Sequence, residues 1–186
     1  MTIEYAILGF LSWQPLSGYD LKKRFVDSTV FYWSGNNNQI YRALVQLEEE
    51  GLIMGKVQVQ EGVPNKKTYA ITEKGRSKLE AWVQSTPKLP ELRHAFLIQL
   101  TWADLLDEQQ LQALLSKYEE EVQVQLLMQQ EKAQRGGELP LRTPRERYLS
   151  ERIEENLLSF YQNELNWVRN LREGLSQLTK QNGGSG

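Results

Sequence analysis

Residues 36–51, NNNQIYRALVQLEEEG, place two chemically different faces on one predicted helix. Three apolar side chains recur at the spacing of a face that packs against a core: Ile40, Leu44 and Leu47. Gly51 marks the predicted end of this helix. The stripe on the opposite side is small and hydrogen-bonding, and consists of Gln39, Arg42, Ala43 and Gln46. Such a helix can bury one face and present the other to a partner.

The rest of the first 84 residues predicts three further helices and a hairpin around this helix. Apolar positions at helical spacing predict a first helix that ends before Pro15. Ser17, with Asp20 three residues later, predicts the N-cap of a second helix. After the third helix, apolar and polar residues alternate on both sides of a turn at residues 61–65, which predicts a β-hairpin. Thr72 predicts the N-cap of a fourth helix. This order is typical of a winged helix-turn-helix.

The second half of the chain predicts helices only. Two prolines make residues 85–90 the expected boundary, after which residues 91–180 form a helical domain. Thr143, Pro144 and Glu146 predict the start of a helix that runs to about Lys180. Its apolar stripe is longer than a small domain covers, and consists of Leu149, Ile153, Leu157, Phe160, Leu165, Val168, Leu171, Leu175 and Leu178. The predicted organisation is a winged helix-turn-helix at 1–84, a helical domain at 91–180 and a flexible tail at 181–186.

Composition excludes several classes of protein. The chain has no cysteine and one histidine, which excludes disulfides, thiolate nucleophiles and most transition-metal sites. No serine–histidine pair or glycine-rich phosphate loop is recognisable, so we expect no enzyme, no catalytic residue, no metal and no cofactor. There is no apolar run of membrane-spanning length and no signal peptide, which predicts a cytoplasmic protein.

Charge is weak evidence about nucleic acid. The net charge is −2. Residues 1–84 carry +1 and residues 85–186 carry −3, so the acidity lies mostly in the second half. Local charge decides a contact more than the total, because the Debye length is about 8 Å at physiological salt.

The predicted layout favours double-stranded DNA as a partner, because the third helix of such a domain enters a major groove. Amide and guanidinium groups can pair with base edges, and here they are Asn37, Asn38, Gln39, Arg42 and Gln46. Hydroxyls and cations contact phosphates, and the candidates are Ser17, Tyr19, Lys22, Lys66 and Lys67. Tyr41 fits a core position as well as a DNA contact. Residues 48–50, all glutamate, would repel phosphate, so this end of the helix should face away from DNA as a solvated surface.

These residues resemble the PadR family of transcriptional regulators. The resemblance lies in residues 15–21 (PLSGYDL), 40–53 (IYRALVQLEEEGLI) and 69–75 (YAITEKG), in order through the first domain. The second half, including residues 165–168 (LNWV), is similar to the larger subfamily with a helical C-terminal dimerisation domain. The fold class that follows is mainly α with a small β-hairpin: a winged helix-turn-helix followed by that dimerisation domain.

The resemblance implies a homodimeric repressor or activator that binds an inverted repeat, with each hairpin as a wing. It also implies a small aromatic effector near the dimer interface, for which we single out Phe96, Trp102, Tyr161 and Trp167. The chain departs from the family at residues 36–39, where asparagine and glutamine replace small residues, so the operator cannot be transferred from relatives.

Other interpretations stay open. A winged helix can also serve as a protein-interaction module that binds no DNA, and a sensor that combines both roles lies between the two. Aromatic side chains at helical spacing more often belong to a core than to a ligand site. The single histidine, His94, fits a packed or surface position better than a metal ligand.

Overall fold

The computed structural model describes five ranges of the chain, which are 2–28, 37–58, 66–89, 94–135 and 143–183. These residues divide into two compact units, with the division after Lys88. Within the described ranges, no helix is long and apolar enough to span a membrane. Predictions that concern Asn36, the hairpin turn at 61–65 and residues 184–186 lie outside these ranges.

The first unit is the predicted winged helix-turn-helix. Its elements are α1 (Thr2–Trp13), β1 (Leu16–Ser17), α2 (Gly18–Asp27), α3 (Asn37–Glu49), β2 (Ile53–Gln58), β3 (Lys66–Ile71) and α4 (Glu73–Val83). One core holds the unit together, and its fully buried side chains come from α1, α2, α3 and the segment that enters β2, as with Ile7, Leu21, Leu44 and Leu52.

The sheet is antiparallel with strand order β1-β3-β2. The pairing of β2 with β3 confirms the predicted hairpin, and its register places Gly55 opposite Tyr69 and Val57 opposite Lys67. The strand β1 was not predicted. It has two residues and forms only because the chain before α2 pairs with β3, with Leu16 opposite Tyr69. The wing is therefore attached to the start of α2 as well as to α3.

The predicted caps are confirmed where the chain is described. The Ser17 hydroxyl accepts a hydrogen bond from the Asp20 amide, and the Asp20 carboxylate accepts one from the Ser17 amide, which completes a capping box at α2. Thr72 caps α4 by accepting from the Gly75 amide.

Helix α3 ends as predicted at Gly51, which has a φ of 68°. The Leu52 amide donates to the Leu47 carbonyl and the Gly51 amide to the Glu48 carbonyl, which is the hydrogen-bond pattern of a Schellman motif. Leu47 and Leu52 are both buried, so the apolar contact typical of this motif fixes the direction of β2 from the end of α3.

The prediction that Ala43 belongs to the exposed polar stripe of α3 is wrong. Ala43 is buried with Ile40, Leu44 and Leu47, while Gln39, Arg42 and Gln46 are exposed. The apolar side of a packed helix covers about 100° or more, and a small alanine at the edge of that sector is drawn into the core.

The second unit contains α5 (Ala95–Thr101), α6 (Glu108–Arg135) and α7 (Pro144–Gly183), with a 3₁₀ turn at Ala103–Leu105. The predicted capping box at Thr143 and Glu146 is present. Helix α7 continues to Gly183, three residues into the predicted tail. Helices α6 and α7 pack against each other through apolar side chains such as Leu115, Val168, Val122 and Leu165.

Candidate nucleic-acid interface

The exposed side of α3 carries the predicted base-reading groups. Asn38, Gln39, Arg42 and Gln46 are all exposed, while the helix is fixed from behind by its buried face. Gln46 donates from Nε2 to Glu50 Oε1 at 2.9 Å, so its amide is held along the helix axis. Asn37 begins the helix, and its side chain lies outside the described part of the structure. The arrangement offers amide and guanidinium donors on one rigid surface.

Ser17 differs from the other predicted phosphate contacts. It is 4% exposed, and its hydroxyl donates to Asp20 Oδ2 at 2.7 Å while accepting from the Asp20 amide. Its role in the structure is to start α2, and we remove it from the candidate contacts. Tyr19, which is 71% exposed, and Lys22 lie on the exposed part of α2 and stay candidates.

Tyr41 is half-exposed and is not a core residue. Its side chain is 49% exposed and its ring lies against Gly18 at the start of α2. Because Gly18 has no Cβ, the phenol can cross from α3 to the N-terminal end of α2, where backbone amides point outward. Tyr41 and Tyr19 are thus two exposed tyrosines near the start of α2, and both stay candidates for phosphate contacts.

The wing is attached to α3 by an ion pair that the sequence pattern did not reveal. Lys67 Nζ on β3 lies 2.7 Å from Glu48 Oε2 on α3. The other oxygen of Glu48 accepts a hydrogen bond of 3.2 Å from the Gly55 amide on β2. Lys67 also lies over the Tyr69 ring, 5.1 Å from its centroid. The hydrogen bond to Glu48 raises the pKa of Lys67. The side chain of Lys66 lies outside the described part.

The glutamates at 48–50 are not simply a solvated face. Glu50 Oε2 accepts from Lys78 Nζ at 2.8 Å, and its carbonyl accepts from Lys74 Nζ at 2.7 Å, so α4 is joined to the end of α3. Hydrogen bonds from Lys78 and Gln46 lower the pKa of Glu50. Two of the three carboxylates therefore join α3 to the wing and to α4, and Glu49 is exposed.

The four aromatic residues singled out for a ligand do not line one cavity. Phe96 is buried and contacts Trp167 edge to face, with centroids 6.1 Å apart. Trp102 is 66% exposed, and Tyr161 packs in a different cluster with Leu126 and Leu165. A separate polar cleft of about 510 Å³ lies along α6 and α7, lined by Gln112, Glu119, Arg169, Arg172, Glu173, Ser176 and Gln177.

A polar cluster in the second unit connects three helices. Tyr118 Oη donates to Glu164 Oε1 at 2.6 Å and lies 2.9 Å from His94 Nε2. The other ring nitrogen of His94 accepts from the Leu97 amide, so this histidine caps α5. Burial and the hydrogen bond to Glu164 raise the pKa of Tyr118. His94 thus packs against Tyr118 and caps α5.

Comparison with known proteins agrees with this architecture. Residues 7–81 match the model of the family described as "Transcriptional regulator PadR-like family". A probable transcriptional regulator of Mycobacterium tuberculosis, Rv1176c, is 39% identical over 83 residues, which cover 45% of this chain and 44% of the relative. The negative transcriptional regulator PadR of Bacillus subtilis is 32% identical over 109 residues, which cover 58% of this chain and 60% of the relative. The matches thus span about half the length of these relatives.

Solved structures are similar over nearly the whole chain. Bacillus subtilis PadR in complex with operator DNA has a TM-score of 0.75 at 25% identity, covering 92% of this chain and 97% of that one. The PadR-like regulator BC1756 of Bacillus cereus has a TM-score of 0.76 at 26% identity, covering 94% and 96%. The chain is thus similar to PadR-like transcriptional regulators, in sequence over residues 7–81 and in fold over more than 90% of its length.

Proposed function

We propose that the chain is a homodimeric transcriptional regulator that binds an inverted repeat in double-stranded DNA. The observation that carries the proposal is the exposed polar side of α3, where Gln39, Arg42 and Gln46 stand on a helix whose other face is buried. Groove recognition needs amides and guanidinium groups at base edges, and this face supplies both. Bacillus subtilis PadR, whose structure is similar over 92% of this chain, has been crystallised with operator DNA.

The proposed contacts divide by chemistry. Gln39 and Arg42 are the foremost candidates for reading bases, with Asn37, Asn38 and Gln46 beside them. Tyr19, Lys22 and Tyr41 contact phosphates, which fix the position of the protein on the duplex. Lys66 of the wing stays a candidate for phosphate contacts, whereas the Lys67 ammonium is already paired with Glu48.

The second unit supports the proposed dimer. Along α7, Leu149, Ile153 and Phe160 are 51%, 42% and 54% exposed, although they continue the apolar stripe that buries Leu165 and Val168. An apolar stripe of this length along one helix is what a symmetric partner helix covers. A dimer would present two copies of α3 to half-sites about 34 Å apart.

Selection from a random duplex library tests the proposal. We expect an enriched inverted repeat, bound by two copies of the chain, with an affinity that falls steeply as salt rises because phosphate contacts release counterions. Matched duplexes with one scrambled half-site serve as controls. Recovery of no sequence at low salt, together with capture of a protein partner in a salt-insensitive complex, would instead favour the interaction module.

Control by a small aromatic ligand is a second proposal. Phe96 stacks on Tyr118 with centroids 3.6 Å apart, and Trp167 reaches the same ring while remaining 38% exposed, so an indole at this place can report a bound planar molecule. Bacillus subtilis PadR has also been crystallised with p-coumaric acid. With this acid as the probe, we expect quenched tryptophan fluorescence and a higher melting temperature. A melting temperature that stays unchanged at saturating acid would contradict the proposal. A regulator of this kind would act in the cytoplasm.

A further inference from the structure

Three groups from three elements meet where α3 ends beside the wing. Glu48 lies in the last turn of α3, the Gly55 amide belongs to β2, and Lys67 belongs to β3. One carboxylate oxygen of Glu48 accepts from the Gly55 amide, and the other accepts from the Lys67 ammonium. A single side chain therefore fixes both wing strands against the helix that is proposed to read bases.

The close approach of these groups depends on a glycine. A Cβ on Gly55 would overlap Lys67 Cε and would lie 2.5 Å from Glu48 Oε1. The absence of a side chain on this strand position leaves the space in which the ammonium and the carboxylate meet. The Tyr69 ring beneath Lys67 adds a cation–π contact to the same position.

The ion pair also affects what Lys67 can do on DNA. Its side chain is 41% exposed, so the ammonium is accessible to solvent, yet it donates to Glu48 at 2.7 Å. A phosphate that recruited Lys67 would have to replace a carboxylate already in place. Such a replacement leaves Glu48 unpaired beside the phosphodiester backbone, where like charges repel.

We propose that Glu48 is a specificity-determining residue, because it fixes the wing against α3 and withholds the Lys67 charge from DNA phosphates. The inference rests on the proposed DNA-binding function. Nonspecific affinity comes mainly from phosphate contacts, so a lysine withheld from phosphate lowers binding to random DNA. A wing that is already fixed also lowers the ordering free energy that is lost when the protein takes up the geometry of the operator complex.

The test compares four variants of the full chain on a random duplex and on the selected operator: E48Q, K67A, the double variant, and E49Q. Glutamine at 48 keeps an acceptor for Gly55 but loses the ion pair. E49Q is the matched control, since Glu49 is exposed on the same turn and forms no ion pair within the described ranges. Thermal melting confirms that each variant is folded.

We expect E48Q to bind the random duplex about fivefold to tenfold more tightly at about 0.1 M salt, with a slope of log affinity against log salt steeper by about 0.9, the value for one added phosphate contact. The affinity of E48Q for the operator should rise less, so the ratio of operator affinity to random-duplex affinity should fall. The double variant should return to the wild-type slope, and K67A and E49Q should keep it.

Three outcomes would overturn the inference in distinguishable ways. If the wild-type chain binds no duplex at low salt, the proposed function fails and the role of Glu48 fails with it. If the wild-type chain binds DNA while E48Q keeps the wild-type slope and operator ratio, only the role of Glu48 is wrong. A K67A variant with a shallower slope would likewise show that Lys67 already contacts phosphate in the wild-type protein.

Discussion

The ring of Tyr41 on α3 lies against Gly18 at the start of α2, so that a Cβ on Gly18 would stand 2.7 Å from Tyr41 Cε1. A second glycine, Gly75 in the first turn of α4, is approached by backbone instead. A Cβ there would overlap the carbonyl oxygen of Leu52 and lie 2.9 Å from Ile71 Cγ1. An added Cβ would therefore displace a side chain at Gly18 and the backbone at Gly75.

Replacing these two glycines by alanine should therefore lower the free energy of unfolding by different amounts. In Gly18→Ala the half-exposed Tyr41 ring can turn into solvent, and we expect a loss of about 1 kcal/mol or less in the free energy of unfolding. In Gly75→Ala the obstacle is the Leu52 carbonyl, which also accepts from the Thr72 amide, and we expect a loss of about 2 kcal/mol or more despite a helix-propensity gain of about 1 kcal/mol. Urea unfolding of both variants measures the difference. Equal losses would contradict the role of the backbone contact.

Local signals in the sequence predicted the elements of the first unit well. The caps at Ser17 and Thr72 and the termination at Gly51 depend on residues within a few positions of one another, so the sequence alone contains the information. The strand β1 has two residues and no alternation of its own. It forms because β3 lies beside it in the folded domain, and the local sequence does not reveal that tertiary contact.

The candidate site was predictable only in part, for the same reason. The exposed face of α3 follows from helical periodicity. The pairing of Glu48 with Lys67 spans 19 positions, and that of Tyr118 with Glu164 spans 46. Nothing in the local pattern distinguishes a glutamate that binds a wing strand from a solvated one. Trp102, a candidate for the effector that the family resemblance implies, is 66% exposed in the structure.

Tyr118→Phe should destabilise the second unit although the ring stays in place. Phenylalanine keeps the stacking on Phe96, but it removes the hydroxyl that joins Glu164 to His94. Both partners are only about one-fifth exposed, at 20% and 22%, so water replaces the lost hydrogen bonds incompletely. We expect a loss of about 1–3 kcal/mol in thermal or urea unfolding. The control is Tyr148→Phe, whose ring is 62% exposed. Equal stability of the two variants would show that the cluster contributes little.

The stability of the second unit should depend on pH through Glu119. This carboxylate on α6 pairs with Arg169 at 2.8 Å and with Arg172, and those hydrogen bonds lower its pKa below the ordinary 4.5. Because the folded-state pKa is lowered, the stabilisation is present above about 4.5 and is lost as pH falls through the lowered value.

Glu119→Gln tests this dependence. At neutral pH we expect the variant to be less stable than the wild type by about 1–2 kcal/mol, a modest figure because the arginines are partly exposed. The difference should shrink as pH falls from about 4.5 through the lowered folded-state pKa, since the wild-type carboxylate is protonated first in the unfolded chain and then in the folded one. Urea unfolding at a series of pH values measures it. A difference that stays constant through the acid range would mean that the glutamine is destabilising for reasons other than charge.

Arg42→Ala is expected to change sequence preference as well as affinity. The guanidinium stands on the exposed side of α3, one turn after Gln39, where it can bind a guanine edge with two hydrogen bonds. Its loss should cost about 1–3 kcal/mol on the selected operator and relax the preference at one position in each half-site, with little change on duplexes that lack that base. Competition binding against single-position operator variants measures this. Arg76→Ala on α4 removes the same charge from an exposed arginine outside the proposed interface and should leave the preference unchanged. An equal loss on every duplex would instead identify Arg42 as a phosphate contact, with Gln39 as the remaining base reader.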